Sequence, residues 1–461
     1  MRKNSPYVSE PEHGRGPPGT GRRRNGIAYL RRRVYCLSTP EPGWRKPWMP
    51  LKLLKYGLGG DHLDRKPMAT SGGLKPSYDI VIIGGGGHGL ATAYYLAKDW
   101  GIRNIAVLEK SYLGGGNTGR NTSIIRSNYL TPEAIRFYDE SLRLYRGLSK
   151  ELDYNILYSP RGHLTLAHTL AGVRTSRWRA EVNKHLGVRS ELIYPDEIAR
   201  ICPQLYLGRD TRFPILGALY HPPGAIARHD AVAWGYAKRA MEMGVEIHVN
   251  TEVTGVQVKN GRATGVETAH GKVQAGRILQ AVAGTSSLVA KMAGVRLPIR
   301  SIPLQACVTE PVKPFLDSIV VSGSLSLYVS QSARGELVMG ASADPYPLYS
   351  TRSTLAFKEE LAGHLLALFP FLGKLKVLRQ WAGVADMTPD FSPVMGETPV
   401  RDYYLDAGWG TWGFKATPVC GKRMAETLAT GKTPELLLPF ALDRFYQFRQ
   451  IGERASAAVG H

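Results

Sequence analysis

A glycine-rich turn between a short apolar run and an amphipathic segment is the feature that most constrains the fold of this sequence. The run DIVII is followed by GGGGHG, and LATAYYLAKDWG then has the apolar spacing of a helix. Gly84, Gly86 and Gly89 form a GxGxxG arrangement, which permits a tight turn, close backbone approach to a pyrophosphate and close helix–strand packing. Glu109 ends the next β-branched run, IAVLEK, where an acid can bind ribose hydroxyls. Together these features predict a βαβ unit that begins near Ser77 and binds a dinucleotide at the helix N-terminus.

Three further glycine-containing segments favour FAD over NAD as that dinucleotide. The loop LGGGNTGR, residues 113–120, follows Glu109 closely and resembles the loop along the FAD pyrophosphate in glutathione-reductase-type flavoproteins. QAVAGTSS, around Gly284, resembles the second strand–turn motif of that class. DAGWGTWGFKATP then predicts a strand, a glycine turn and a helix whose N-terminus can stabilise negative charge on a reduced flavin.

The order of strands and helices predicts an α/β protein. We expect a glutathione-reductase-type FAD-binding Rossmann domain and a second α+β substrate domain that contains a mostly antiparallel sheet. The FAD-binding domain is predicted at 77–160, 226–300 and 381–461, and the substrate domain at 161–225 and 301–380. Helices are predicted at 133–153, 228–243, 353–369 and 418–430. After the first βαβ unit, strands are predicted at 245–258, 263–269, 272–284, 306–312, 326–331, 336–342 and 403–408.

The positive charge of the chain is concentrated at its N-terminus. Residues 1–76 hold 16 Lys/Arg and 5 Asp/Glu, which is +11 of the total of +21. This segment has little apolar periodicity, so we expect either a disordered tail, a start codon placed too early with Met49 or Met68 as the true start, or a basic targeting arm. The basic residues form no nucleic-acid recognition motif, and we expect no nucleic-acid partner.

Cysteine usage and hydropathy limit the other function classes. Cys36, Cys202, Cys307 and Cys420 lack CxxC or metal-ligand spacing, so we expect no disulfide framework and no metal site. The sequence contains no long apolar window of the kind that spans a membrane and no secretory signal, and we expect a cytoplasmic protein without a membrane partner.

At the level of motifs the sequence resembles the β subunits of heterotetrameric sarcosine oxidases. The segments that carry the resemblance are SYDIVIIGGGGHGLATAYYLAK, GGGNTGRNTSIIRSNYL, RHDAVAWGYA, SQSARGELVMGA, GWGTWGFKATP and the ending AAVGH. It covers the chain from about Tyr78 to His461 and leaves out residues 1–76.

The resemblance implies an enzyme with two flavins and several subunits. Noncovalent FAD takes a hydride equivalent from the N-methyl group of sarcosine, and the imine gives glycine with formaldehyde or a one-carbon unit on tetrahydrofolate. Electrons pass to a covalent FMN, which reacts with oxygen to give hydrogen peroxide. The implied partners are α, γ and δ subunits; the α subunit carries NAD and folate sites, and FMN lies at the α–β boundary.

By resemblance, the covalent FMN is attached to His229 in the RHD motif. A neutral imidazole nitrogen can act as the nucleophile that forms such a link. Arg228 is then expected near the FMN phosphate or the flavin edge. On the residues alone, the favoured interpretation of His229 is a hydrogen-bonded histidine at a helix start, and the resemblance is what favours covalent attachment. Asp230 is equally well explained as the N-cap of that helix.

Lys415 and Arg126 are the candidate catalytic residues. The resemblance places a functional lysine at Lys415, where it can bind a substrate carboxylate or stabilise charge as oxygen is reduced; the alternative is a solvated lysine. Arg126 suits bidentate binding of a carboxylate, or else a structural ion pair. His88 has a side chain that can reach the flavin, or simply fills the turn.

The full set of candidate cofactor-binding residues combines these motifs. It comprises Gly84, Gly86, Gly87, His88, Gly89, Glu109, Lys110, Asn117, Thr118, Arg120, Asn121, Thr122, Ile124, Arg228, His229, Val253, Gly284, Gly408, Gly410, Thr411, Gly413 and Lys415.

One residue departs from the resemblance and leaves the substrate open. The related sequences usually read GWGTGGFK, whereas this chain has Trp412 before the last glycine, and an indole there can narrow the substrate pocket. The run HPPGAIARHD also differs somewhat from the usual run before the histidine. A dehydrogenase of another secondary amine, of the dimethylglycine type, is therefore an alternative. A non-catalytic assembly subunit is a further one, although the glycines and His229 are present.

Overall fold

The computed structural model describes residues 73–452. The predictions for residues 1–72 and for the AAVGH ending lie outside these residues. Residues 73–452 contain nineteen strands, numbered in chain order. They are β1 Ser77–Ile83, β2 Ile105–Leu108, β3 Ile124–Ile125, β4 Ser159–Pro160, β5 His163–Ala167, β6 Glu191–Ile193, β7 Gly217–His221, β8 Ala225–Ile226, β9 Glu246–His248, β10 Val253–Lys259, β11 Arg262–Thr268, β12 Gly271–Gln280, β13 Arg300–Pro311, β14 Ile319–Ser322, β15 Leu327–Gln331, β16 Glu336–Ala343, β17 Val377–Met387, β18 Val394–Glu397 and β19 Tyr403–Ala407.

The α-helices of the same part of the chain are also numbered in chain order. They are α1 Gly87–Trp100, α2 Pro132–Glu151, α3 Leu170–His185, α4 Pro195–Ile201, α5 His229–Glu242, α6 Ser286–Met292, α7 Leu355–Leu368 and α8 Gly413–Thr430.

The first sheet has a parallel centre. β19, β12, β1, β2 and β9 pair in that order, all parallel. The antiparallel strands β10 and β11 extend from the first half of β12, and β18 pairs antiparallel with β19. Strands covered on both faces are apolar throughout, and all four residues of β2 are buried. This is the predicted Rossmann arrangement, and the fold-class prediction is confirmed.

The second sheet is mostly antiparallel, as predicted. Its order is β17-β13-β16-β15-β14-β5-β7-β6, and only the β14–β5 pair among these is parallel. A small third sheet has the order β3-β8-β4. Both large sheets take strands from separated stretches of the chain, and the domain boundaries given above remain predictions.

The largest apolar cluster lies among helices α1, α2, α5 and α8 and the first sheet. α1 and α8 approach closely because Gly421 faces Ala91, where a Cβ on residue 421 would overlap the Ala91 side chain. A second apolar cluster joins the second sheet to α4 and α7. The close α1–α8 contact brings the N-terminus of the last helix next to the glycine-rich turn.

The element predictions succeeded for the amphipathic helices and failed for several short strands. The predicted helices at 133–153, 228–243 and 353–369 are α2, α5 and α7. The predicted helix at 418–430 begins five residues earlier, at Gly413. The predicted strand at 245–258 is two strands, β9 and β10. Helix α3 and the strands β5, β7, β14 and β17 were not predicted.

Candidate functional site

One elongated cavity of about 920 Å³ brings most of the predicted site residues together. It extends from the glycine-rich turn, past the loop at 115–124, to the start of α8. Its lining includes Gly84, Gly86, Gly87, His88, Glu109, Lys110, Asn117, Thr118, Arg120, Asn121, Thr122, Ile124, Arg126, Val253, Gly284, Gly410, Thr411, Gly413 and Lys415. Gly89, Gly408, Arg228 and His229 are not in this lining.

The glycine-rich turn has no room for side chains. Gly84 has φ +112°, and a Cβ there would overlap the carbonyl oxygen of Ala281. A Cβ on Gly89 would overlap the carbonyl oxygen of Gly84, so Gly89 packs the helix on the strand without lining the cavity. Gly86, Gly87 and His88 at the start of α1 line the cavity, and the N-cap residue Gly86 makes no side-chain hydrogen bond to the helix, an arrangement that suits binding of a diphosphate.

Glu109 lies beside this turn and is almost fully buried. Its Oε2 accepts a hydrogen bond from the Gly85 N–H at 2.9 Å, and its Oε1 accepts from the Ser111 N–H at 2.9 Å and the Ser111 hydroxyl at 3.0 Å. A carboxylate has about four acceptor positions, so it retains capacity for a ribose hydroxyl. The fixed carboxylate at the end of β2 has the orientation expected of a ribose-binding acid.

The second glycine-rich loop is held by its own polar side chains. The Asn117 amide donates to the Val384 carbonyl at 2.6 Å and accepts from the Val384 N–H at 3.0 Å. Arg120 donates to the carbonyls of Gly115 and Gly116, and the Thr118 hydroxyl accepts from the Gly87 N–H at 2.9 Å. The loop is thereby attached both to β17 and to the N-terminus of α1, and its backbone lines the cavity.

The His88 side chain is fully engaged within the protein. Nδ1 lies 3.0 Å from Asp406 Oδ1, and Nε2 lies 2.8 Å from the Gly413 carbonyl oxygen. Burial favours the neutral imidazole, but the charge and hydrogen bond of Asp406 outweigh it and raise the pKa of His88. A protonated His88 can donate to both partners, and so links the N-termini of α1 and α8. The His88 side chain is therefore neither free to move nor a simple filler of the glycine turn, because both ring nitrogens have partners within the protein.

At the end of the cavity formed by the start of α8, Lys415 and Arg126 are both buried. Lys415 Nζ donates to the Thr411 carbonyl at 3.3 Å, and burial, followed by the charge of Arg126, holds its pKa well below the usual lysine value. The alternative of a solvated lysine is therefore wrong. Arg126 donates to the Asn128 carbonyl at 3.0 Å, and its guanidinium lies 4.3 Å from the centre of the Tyr129 ring.

Two further basic residues at this end were not predicted. Arg179, on α3, is 5% exposed and donates to the same Asn128 carbonyl, at 2.9 Å from Nε. His163, on β5, also lines the cavity, and burial together with the charges of Arg126, Arg179 and Lys415 holds its pKa well below the usual value. This end of the cavity thus carries the charges of two buried arginines, Arg126 and Arg179, which favour an anionic group.

Asp386 is a buried acid that the sequence analysis also missed. It lines the cavity, and its Oδ2 accepts a hydrogen bond from the Gly408 N–H at 2.6 Å. Burial raises the pKa of Asp386 to about 6. Gly408 has φ +74°, which favours glycine at this position, and it does not line the cavity itself.

Arg228 and His229 lie apart from the cavity, at the start of α5. Arg228 is the N-cap residue and forms two hydrogen bonds of 2.8 Å with the Asp230 carboxylate. Asp230 is in the first turn, so its prediction as N-cap is wrong. Burial lowers the pKa of His229, and among residues 73–452 its buried Nδ1 has no hydrogen-bond partner. A neutral imidazole with an unused nitrogen retains its capacity to react.

None of the helices in residues 73–452 has the length and apolar character that crossing a membrane requires.

Comparisons with known proteins agree with this geometry. Residues 79–427 match the family described as FAD dependent oxidoreductase. The chain is 49% identical to "Sarcosine oxidase subunit beta" of Arthrobacter sp, over 84% of this chain and 96% of that protein. It is 47% identical to the protein of the same name from Rhodobacter capsulatus, over 84% and 93%. The crystal structure of L-proline dehydrogenase from P.horikoshii superposes with a TM-score of 0.77 at 29% identity and covers 82% of this chain and 100% of that one. The chain therefore belongs to the FAD dependent oxidoreductase family and, within it, to the sarcosine oxidase β subunits.

Proposed function

We propose that this chain is the catalytic β subunit of an oxidase that demethylates sarcosine. The observation that carries the proposal is one cavity that is lined both by the dinucleotide cradle and by buried basic side chains. This arrangement suits a bound flavin next to a small amino acid with a carboxylate. The expected products are glycine, hydrogen peroxide, and formaldehyde or a one-carbon unit on tetrahydrofolate.

The residues around the glycine turn fit FAD. Gly84 and Gly86 bring the backbone close to the diphosphate, the start of α1 presents N–H groups to it, and Glu109 binds a ribose hydroxyl. The start of α8 faces the same cavity, where its N–H groups stabilise negative charge. When bound, FAD supplies the two-electron acceptor for oxidation of the N-methyl group.

The basic residues bind and orient the substrate. Arg126 and Lys415 are the groups proposed to contact the carboxylate, while Arg179 holds the Asn128 carbonyl on which Arg126 also depends. The positive charges stabilise the form of the amino acid that has a carboxylate and a neutral amine. Burial and the charge of Arg126 lower the pKa of Lys415, and the charge of a bound carboxylate favours its protonation.

The second flavin in this proposal is an FMN attached covalently to His229. A lowered pKa keeps the His229 imidazole neutral, and the buried Nδ1 is unused within residues 73–452. His229 is not in the lining of the large cavity, so its flavin is distinct from the FAD. The proposed partners are the α, γ and δ subunits, with the α subunit closing the FMN site; Trp234 on α5, 36% exposed, is a candidate contact.

An assay of the purified protein with its co-expressed partner subunits tests the proposal. We expect a yellow protein that releases FAD on denaturation and forms peroxide from sarcosine faster than from dimethylglycine or proline. A colourless protein that stays colourless when FAD is added would remove the proposal. Faster electron transfer to a dye than to oxygen would favour the dehydrogenase alternative.

Acid precipitation tests the FMN assignment separately. Fluorescence that stays in the precipitated wild-type protein, and is absent from His229→Ala, is the expected result. Covalent flavin retained by His229→Ala would show that another residue carries it. The FAD released into the supernatant serves as the internal control for folding.

A further inference from the structure

We propose, on the basis of the function proposed above, that Trp412 determines substrate specificity by limiting the size of the N-alkyl group that the pocket accepts. Trp412 lines the cavity but is only 4% exposed, so its indole fills space at the edge of the cavity. It is the N-cap residue of α8 and lies three positions before Lys415. Trp412 and Lys415 line the same cavity, and the Lys415 amine donates to the carbonyl of Thr411, so the indole is attached to the same backbone turn that holds this amine.

Aromatic contacts hold the indole in place. The Tyr129 ring meets it edge-on, with centroids 5.5 Å apart and an interplanar angle of 83°. Phe391 packs against it at 6.5 Å, and the backbone N–H of Trp412 donates to the Trp409 carbonyl at 2.8 Å, which fixes the main chain from which the indole projects. Aromatic pairs of this kind add to the stability of burial, so the side chain does not move aside readily.

The same aromatic group holds the carboxylate-binding arginine. Tyr129 stacks on Tyr138 at 3.9 Å and also supports the Arg126 guanidinium at 4.3 Å. Trp412 and Arg126 are therefore fixed relative to each other through one buried ring. When Arg126 binds the carboxylate of a substrate, the rigid indole limits the size of the N-alkyl group at the other end of that substrate. The pocket therefore suits an N-methyl amino acid better than one with a longer N-alkyl group.

The variants Trp412→Gly and Trp412→Phe test this inference. Glycine is acceptable at a helix N-cap, and the space it leaves joins the existing cavity. The measured quantity is the ratio of kcat/KM for N-propylglycine to that for sarcosine. One methylene in an apolar pocket changes kcat/KM by about 10-fold or more, so we expect this ratio to rise at least about 10-fold in Trp412→Gly and less in Trp412→Phe. Trp178→Ala removes an indole that is 54% exposed on α3, away from the cavity lining, and should leave the ratio unchanged.

A binding series separates this inference from the proposed function. Acetate, (methylthio)acetate and (propylthio)acetate are added to the FAD-loaded proteins, and Kd is read from the change in flavin absorbance. The wild type should bind the propyl compound more weakly than the methyl compound, and Trp412→Gly should reverse that order. If the wild type does not oxidise sarcosine but shows this order, only the proposed function fails. If Trp412→Gly does not bind FAD, the relative affinity of Trp412→Phe for the methyl and propyl compounds decides whether the inference holds. An order that is the same in the wild type and the variant overturns the inference.

Discussion

Lys415 is a buried amine, and its burial lowers the free energy of unfolding when no carboxylate is bound beside it. Burial and Arg126 lower its pKa, so the folded state binds this proton less tightly than the unfolded state does. Lys415→Met should therefore raise the melting temperature of the FAD-free protein at pH 7 while lowering kcat/KM for sarcosine about 100-fold. The stability gain should shrink as the pH approaches about 10.4, where lysine is neutral even when unfolded.

Calorimetry and the peroxide assay measure the two effects of this change. Lys422→Met is the control, because Lys422 is on the same helix but its side chain is 39% exposed, in a loose pair with Asp99. A Lys415→Met protein that melts at a lower temperature than the wild type would contradict the burial argument.

Replacing Asp386 should stabilise the protein more as the pH rises, whereas the gain from replacing Lys415 shrinks. Burial raises the pKa of Asp386 from 3.8 to about 6, so the folded state holds the proton more tightly, and stability is lost as pH rises from about 4 through 6. Asp386→Asn keeps an oxygen that can accept from the Gly408 N–H and removes this loss. In the FAD-free protein the variant should gain about 2–3 kcal/mol over the wild type at pH 8, and much less at pH 4.5.

Denaturant titrations at several pH values measure this gain. Asp79→Asn changes an exposed strand residue and should show no such trend. A gain that is constant between pH 4.5 and 8 would exclude Asp386 as the titrating group.

Residues of the site were predictable where a local motif carried them. The glycines, Glu109 and Lys415 belong to short segments in which position follows from the neighbouring residues. Arg179, His163 and Asp386 were not predictable, because each acquires its role from residues far along the chain. Arg179 on α3, for example, donates to the same Asn128 carbonyl as Arg126, and both Arg126 and Asn128 lie about 50 residues earlier, between β3 and α2.

Among the elements, α8 shows how tertiary contacts extend a helix beyond its sequence signal. Pro418 lacks an N–H, so a helix that passes through it leaves the Phe414 carbonyl without its usual donor. The Tyr145 hydroxyl, from α2, donates to that carbonyl at 2.5 Å, and the Ser141 hydroxyl donates to the Lys415 carbonyl at 2.6 Å. The turn that carries Lys415 therefore depends on α2, which no local pattern indicates.

Tyr145→Phe should loosen this turn. Loss of the donor leaves a buried carbonyl unsatisfied, which costs about 1–3 kcal/mol. We expect a lower melting temperature and a raised KM for sarcosine, because Lys415 is less well positioned. The same substitution at Tyr446, which is 69% exposed, should change neither quantity. An unchanged melting temperature in Tyr145→Phe would mean that the Phe414 carbonyl finds another donor.

Helices α3, α4 and α6 were not predicted, and for α3, the longest of them, the physical reason is clear. Its buried residues are Ser176, Arg179, Ala180 and Asn183, so its inward face is largely polar. Apolar periodicity, which identified α2 and α5, gives no signal for such a helix. Short strands such as β14, with four residues, are equally hard to identify without their partners in the sheet.

At the scale of the whole molecule, the cavity joins the two large sheets. Its lining includes Ile83 and Leu108 from the first sheet and His163, Leu304 and Val384 from the second. A cofactor in this cavity contacts both sheets and stabilises them together. The sequence predicted two sheets of the observed types. That both sheets line one cavity follows only from the way they pack.

FAD binding should therefore raise the melting temperature of residues 73–452 as one unit. Free FAD at 100 times its Kd stabilises the folded state by about 2.7 kcal/mol, and calorimetry should show a single transition that moves upwards. Riboflavin lacks the diphosphate and should shift it far less. Gly84→Ala should abolish the shift, because a Cβ there overlaps the Ala281 carbonyl, whereas Gly147→Ala, with open space around it on α2, should retain the shift. Two transitions, of which FAD moves only one, would show that the cofactor contacts one sheet alone.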